Sequence, residues 1–404
     1  LSQLDLAAHD TSQHDAVTVA ARDTEFILGT YARSDFHPRE GHGAQLIDAN
    51  GRSYWDLLGG IAVNVLGHQH PRLVEALQES ATSLLHVSNL YYHPAQGILA
   101  EKLVRASGMA RAFFCNSGTE ANEAAIKFAR LANPGRSGIV ALEESFHGRT
   151  MGALSMTGHA AYREPFEPLV PGVQFVAPND IAALQAAVSD ATSAIVLEPI
   201  MGEGGIVPLS ADYLRAARRI ADEHGALLIL DEIQCGLGRT GAMFAFQHAG
   251  ITPDLITLAK PLGGGLPLGA VLVGDRVNGL VKPGHHGTTF GGNPIACRLG
   301  AAVLDEIESV QLLDRVTATG AWFEAELHAL QQRNAAIVDV RGKGLMWGVE
   351  LDRAASPVAK QLLAEGFVVG TAREKVIRLL PPFIVPHEAL SAFITALEDV
   401  LRRA

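Results

Sequence analysis

From residue 112 onward the hydrophobic positions fall into two alternating patterns. Short apolar runs, several of them β-branched, occur at AFFCNS (112–117), GIVALE (138–143), VQFVAP (173–178), AIVLEP (194–199), LLILD (227–231), LITLA (255–259) and AVLVG (270–274). Runs of this length and composition predict strands. Between several of them the apolar residues recur at helical spacing. TEANEAAIKFARLA (119–132) is one such stretch, and ADYLRAARRIADEH (211–224), with Leu214, Ala217, Ile220 and Ala221 on one side, is another. Strands separated by amphipathic helices predict an α/β fold whose mostly parallel sheet is covered on both faces.

The flanks read differently. Residues 25–36 suggest a short helix or arm, and 41–58 two strands around the turn Asp48-Ala-Asn-Gly51. Residues 59–71, rich in Gly and His, read as a loop, and 71–85 as a helix bearing Leu73, Leu77 and Leu84. At the other end a helix over 295–307 should lead out of the sheet domain into a helix over 312–332. Strands follow at AAIVDVRG, LMWGVEL and VIRLL, and the last helix, over 386–402, carries Leu390, Phe393, Ile394, Leu397, Val400 and Leu401. The expected division is an arm (1–23), the first part of a smaller α+β domain (24–70), a large domain (71–309) and the rest of the small domain (310–404).

Composition narrows the classes. Lys and Arg number 32 against 43 Asp and Glu, a net charge of −11, which argues against a general binder of nucleic acid or anionic membranes. No apolar run approaches a membrane span, and residues 1–23 lack a signal-peptide core. Cys115, Cys235 and Cys297 form no paired motif, so a reducing, cytoplasmic setting is expected. His68 and His70 lack a third ligand, and no metal site is expected.

Two runs end on residues of opposite charge. The strand at 227–230 leads into Asp231 and the one at 255–259 into Lys260. Ligands of open α/β sheets bind beyond the carboxyl ends of the strands, so the fold would place both groups in one crevice. A lysine able to form a Schiff base and an acid able to keep a pyridine nitrogen protonated suit pyridoxal phosphate. Each alone has an ordinary reading, Lys260 as a solvated strand end and Asp231 as a turn former. The same stretch holds Gly236-Leu-Gly238-Arg-Thr-Gly241, which fits the dinucleotide pattern G-x-G-x-x-G. It starts too far after its strand and precedes only a weak helix, so its glycines read better as loop formers.

Asn116-Ser-Gly-Thr119 stands between a strand and a helix, where free amides and a hydroxyl suit a phosphate, or simply cap the helix. No G-x-x-x-x-G-K-[ST] occurs, so a nucleoside triphosphate is not the expected ligand. In Ser145-Phe-His-Gly-Arg-Thr150, Phe146 could lie on a flat ring and Arg149 hold a carboxylate. Arg378 sits inside an apolar run; it either needs a buried partner or faces solvent from an edge strand.

These segments together resemble the class III, or ω-, aminotransferases. The resemblance runs from about residue 25 to the C-terminus through GIAVNVLGHQHP, HVSNLYY, FFCNSGTEANEAAIKFAR, SFHGRT, LEPIMGEGG, ILDEIQCGLGRTG, LITLAKPLGGGLPLGAV, HGTTFGGNP and IRLLPP. HVSNLYY, SGTEANEAAIK and YREPFEPLVPGV look most like the acetylornithine branch. The resemblance implies a type I fold for pyridoxal phosphate, with Lys260 as the Schiff-base lysine. Asp231 would bind the pyridine nitrogen, Gln234 the ring hydroxyl, Gly118 and Thr119 the phosphate, and Phe146 would stack on the ring. Thr289 would complete the phosphate site of a partner subunit in an obligate homodimer. Thr288, often Ser in this branch, would contact substrate. Arg149 and Arg378 would hold carboxylates, and Glu203 would pair with Arg378 while the amino donor is bound.

The implied reaction moves the terminal amino group of N2-acetyl-L-ornithine to 2-oxoglutarate, giving N-acetylglutamate semialdehyde and glutamate for arginine biosynthesis. Ile61, where ornithine aminotransferases of the family carry tyrosine, leans the same way. Succinylornithine, N-succinyl-diaminopimelate, ornithine and 4-aminobutyrate are the alternative donors. An NAD-dependent oxidoreductase built on GLGRTG would leave Lys260, Arg378 and HGTTFGG without roles. A non-catalytic binding protein would leave Lys260 unexplained.

Overall fold

A seven-stranded sheet forms the middle of the molecule: β1 (Arg111–Cys115), β2 (Gly138–Leu142), β3 (Val173–Val176), β4 (Thr192–Leu197), β5 (Leu227–Asp231), β6 (Leu255–Leu258) and β7 (Gly269–Val273). Their spatial order is β1-β7-β6-β5-β4-β2-β3. Strand β7 runs antiparallel to both its neighbours, and the remaining pairings are parallel. The computed structural model describes residues 16–403.

Alternation along the strands sorts the core into two layers, because successive side chains point to opposite faces. On one face Leu227, Ile229, Ala194, Val196, Leu255 and Val271 pack with Ala121, Ala125 and Phe128 of the helix Gly118–Ala132. On the other, Leu228, Leu230, Ile195, Leu197, Ile256 and Leu272 pack with Leu214, Ala217 and Ile220 of the helix Ala211–His224. Both helices begin on a serine cap: Ser117 accepts from the Glu120 amide and Ser210 from the Tyr213 amide. Gly225, at φ 67°, ends the second helix in the left-handed conformation that closes helices at low cost.

The N-terminal strands number three, Pro38–His42, Gln45–Asp48 and Ser53–Asp56, one more than the sequence pattern suggests. Gly43, at φ 54°, turns the chain between the first two. A fourth strand, Phe367–Val368, joins them from the far end of the sequence and pairs in parallel with Ser53–Asp56. The C-terminal sheet is antiparallel, in the order Ile337–Lys343, Met346–Leu351, Val376–Leu379, Gly370–Ala372. Helices that the sequence reading does not name include Pro94–Ser107, Ile181–Ala187 and Ala355–Ala364.

The helix expected within 25–36 instead occupies Ala16–Phe26, and the chain beyond it is irregular to Pro38. Of the expected arm, residues 1–15 lie outside the described residues. Among the described residues, no helix is long and apolar enough to cross a membrane.

Candidate active site

Strands β2, β4, β5 and β6 run the same way, so their carboxyl ends open on one side of the sheet. That side holds a cavity of about 430 Å³, a size suited to a small ligand. Asp231, the last residue of β5, and Lys260, two residues beyond β6, both line it. So do Gly118, Thr119, Phe146, Arg149, Glu203 and Gln234. The structure therefore brings eight of the predicted residues into one space.

Lys260 sits at φ 31°, a backbone conformation that costs energy in a non-glycine residue and that gathers at functional sites. Burial pulls its ammonium below the usual lysine range, while Glu203 and Asp231 pull the other way. The amine is thus more readily neutral than an exposed one.

The Asp231 carboxylate is held from three directions. Its Oδ1 accepts from the Ile233 amide at 3.1 Å, and its Oδ2 contacts the Asn122 amide nitrogen at 2.8 Å and His147 Nδ1 at 2.7 Å. His147 is fully enclosed. Burial pushes its imidazole down, but the Asp231 carboxylate and the charge of Glu198 outweigh that and leave it raised. Gln234 presents a buried Oε1 with no partner. A Cβ on Gly202 would come within 2.5 Å of the Gln234 amide, so only glycine leaves that side chain its place.

The helix Gly118–Ala132 points its first amides at the cavity. Ser117 satisfies Glu120, leaving the Gly118 and Thr119 N–H groups without a partner in the helix. The Thr119 hydroxyl accepts from the amides of Arg149 and Thr150, both at 3.2 Å, and lies 2.7 Å from the Thr150 hydroxyl. This ties the SFHGRT loop to the helix start. Gly148, at φ 137°, passes so close that a Cβ would lie 2.2 Å from that hydroxyl.

The two arginines are held differently. Arg378 lies on an interior strand and is buried, which removes the edge-strand alternative. Its cross-strand neighbours are Gly348 and Gly370, so both flanks are empty of side chains where the guanidinium needs room. Its Nη1 forms an ion pair with Glu203 Oε1. Arg149 is exposed and stacks its guanidinium 3.9 Å from the centre of the Tyr162 ring.

Two predicted residues stand apart. Thr288 and Thr289 do not line this cavity; they line a separate concavity with Ser88, Asn89 and Leu90. Thr288 reaches the main site only through the Asn116 side chain, which donates to its hydroxyl at 3.0 Å. The GLGRTG segment contacts no part of the cavity and precedes only a short 3-10 turn, Ala245–Ala249. Its Arg239 is fully buried and donates to the Leu345 and Pro381 carbonyls, pinning this loop to the C-terminal sheet. The dinucleotide reading therefore has no site.

Three residues at the site are not singled out by the sequence reading: Asn122, His147 and Glu198. Glu198 follows β4 and accepts from the Phe146 amide at 2.9 Å and the Gly202 amide at 3.0 Å, with burial raising its pKa to about 7. The signal for it was present, an acid directly after an apolar run, as at Asp231.

A family model for aminotransferase class-III matches residues 30–401. An acetylornithine aminotransferase of Mycolicibacterium smegmatis is 49% identical over 391 residues, covering 96% of this chain and 99% of that one. One from Methanocaldococcus jannaschii is 46% identical over 383 residues, covering 94% and 96%. Among solved structures, the ornithine aminotransferase of Toxoplasma gondii superposes with a TM-score of 0.92 at 30% identity, covering 96% of this chain and 95% of that one. The acetylornithine aminotransferase of Elizabethkingia anophelis does so with a TM-score of 0.86 at 28% identity, covering 96% and 100%.

Proposed function

Because this chain belongs to the class-III aminotransferases, pyridoxal phosphate enzymes of the type I fold, we propose that it moves the terminal amino group of N2-acetyl-L-ornithine to 2-oxoglutarate. The carrying observation is the unequal state of two arginines, Arg149 free of any carboxylate among the described residues and Arg378 neutralised by Glu203. Acetylornithine has a single carboxylate, far from the amine that reacts. It engages Arg149 and leaves the Arg378–Glu203 pair intact. 2-Oxoglutarate has two carboxylates and engages both arginines once Glu203 swings aside.

The residues present fit the cofactor. Asp231 would face the pyridine nitrogen and the orphaned Gln234 Oε1 the ring hydroxyl. The Gly118 and Thr119 amides would take the phosphate, and Phe146 would lie on the ring. When bound, pyridoxal phosphate supplies an aldehyde that condenses with amines and a protonated ring that accepts electrons. Lys260 Nζ then takes the proton from the amine-bearing carbon of the donor and delivers it across the site, acting first as base and then as acid. Its burial favours the neutral amine that the first step needs. Asn122 and His147 keep the Asp231 carboxylate aimed throughout.

A homodimer is part of the proposal, with Thr289 of a second copy completing the phosphate site. Leu90, in the same concavity, and Phe290, next to Thr289 in sequence, are exposed by 86% and 62%, apolar surface that a second copy would cover. The buried, unpaired cysteines fit a reducing, cytoplasmic setting.

The test is the visible absorbance of the yellow holoenzyme during addition of N2-acetylornithine without a keto acid. Bleaching is expected, and Lys260→Ala should abolish turnover. Bleaching by ornithine or 4-aminobutyrate but not by acetylornithine would overturn the donor.

A further inference from the structure

We propose that Tyr162 is the positioning residue that holds Arg149 ready for the substrate carboxylate, an inference that rests on the carboxylate role of Arg149 given above. The segment carrying it, YREPFEPLVPGV, has no part in the cofactor site. Tyr162 lies on the short helix Ala160–Arg163, just outside the cavity.

No acidic side chain pairs with the Arg149 guanidinium among the described residues; aromatic rings hold it instead. The guanidinium carbon is 3.9 Å from the Tyr162 ring centre and 5.4 Å from that of Phe146. Phe146 lines the cavity, where it would lie on the cofactor ring, and Tyr162 does not, so Tyr162 is the ring dedicated to the arginine. Stacking engages the face of the guanidinium and leaves its five N–H donors free in the plane. An acid at the same place would occupy the fork and compete with substrate. An unsupported arginine would surrender its rotamer freedom on binding, and a stacked one has already lost much of it.

Tyr162 is itself fixed. It meets the Phe146 ring edge-on at 6.0 Å and 86°, and the His159 ring at 4.6 Å. His159 Nδ1 contacts Glu144 Oε2 at 2.8 Å, and the same oxygen lies 3.8 Å from Arg373 Nε. Arg373 belongs to the turn that joins the strands Gly370–Ala372 and Val376–Leu379, the second of which carries Arg378. Glu144 and Arg373 sit at φ 61° and 51°, conformations the surrounding structure must enforce. The ring is therefore anchored to both the large sheet and the C-terminal sheet.

The experiment uses the cofactor-loaded enzyme and two half-reactions, with acetylornithine and with glutamate, each followed by bleaching at varied substrate concentration. Tyr162→Leu and Tyr162→Gln, which remove the ring, are expected to weaken apparent affinity for both substrates by roughly threefold to tenfold. Limiting rates should stay within about twofold, since the ring acts on binding and not on proton transfer. Tyr162→Phe keeps the ring and should rescue the affinity.

In an Arg149→Ala background Tyr162→Leu should cost nothing further, because the two residues act as one unit. A merely structural tyrosine would instead add its loss to that of Arg149→Ala. That additive result, or equal affinities for Tyr162→Leu and the parent, overturns the Tyr162 role alone. Unchanged affinity in Arg149→Ala overturns the carboxylate role of Arg149 itself.

Discussion

Replacing Glu203 by Gln tests the two-arginine account most directly. The Arg378 side chain is 6% exposed and that of Glu203 27%, so the pair is shielded on one side and wetted on the other. A hydrogen bond with a charged partner contributes about 1.5–3 kcal/mol, and the exposure of Glu203 places this one near the lower figure. Glutamine retains an acceptor for Arg378 but removes the countercharge. A substrate carboxylate then displaces a neutral group instead of an anion, a gain of about 1.5 kcal/mol, or roughly tenfold in affinity. Only substrates with a second carboxylate collect it.

In single-turnover bleaching, Glu203→Gln should thus bind glutamate roughly tenfold more tightly than the parent, with acetylornithine affinity changed by no more than about threefold. The preference for acetylornithine over glutamate as amino donor falls accordingly. Weaker or unchanged glutamate binding in the variant, with the holoenzyme spectrum intact, would refute the idea that Glu203 masks Arg378.

Glu232 offers a test by pH. Burial raises its carboxyl from 4.5 to about 8, although it accepts from the Ala245 and Phe246 amides. The folded state holds that proton more tightly than the unfolded chain. The associated stability is complete below pH 4.5 and is lost as pH rises toward about 8, by up to ~1.4 kcal/mol per pH unit. Urea midpoints of Glu232→Gln should therefore fall less steeply between pH 5 and 8 than those of the parent; parallel curves would exclude it. Gly148→Ala forces a Cβ against the Thr119 hydroxyl at a left-handed position and should weaken cofactor retention on dialysis, whereas retention equal to the parent would show that the loop can yield. Leu230→Ala opens a cavity in the buried strand that ends on Asp231 and should cost about 2–5 kcal/mol in denaturant unfolding.

The large sheet was legible because each of its strands carries its own apolar run, and a strand-ending charge announces itself locally. Asp231 and Lys260 are readable for that reason, and Glu198, directly after the apolar run of AIVLEP, obeys the same rule. His147 and Asn122 were not legible. Each lies in a stretch with another evident use, the loop that carries Phe146 and Arg149 and a helix face, and only folding directs both onto Asp231. The environment of Arg378 depends on cross-strand register, which brings in Gly348 and Gly370 from separate runs. No periodicity in a single stretch encodes that. The helix Pro94–Ser107 escaped because its apolar residues, Leu99 and Leu103 among them, form only a narrow buried stripe.

The strand Phe367–Val368 that completes the N-terminal sheet sets an order of events during synthesis. Arg52, beside that sheet, donates to the Ala364 carbonyl, a partner 312 residues farther along the chain. At about 5–20 residues per second, the ribosome takes roughly 15–60 s to make the intervening chain. The N-terminal strands emerge first yet must wait, an unpaired edge in the nascent chain. Meanwhile the seven strands of the central sheet, all contained between residues 111 and 273, can assemble. The crevice around Lys260 is thus specified on the ribosome before Arg378 is, and strands made ahead of the whole central sheet are among the last to find their partner.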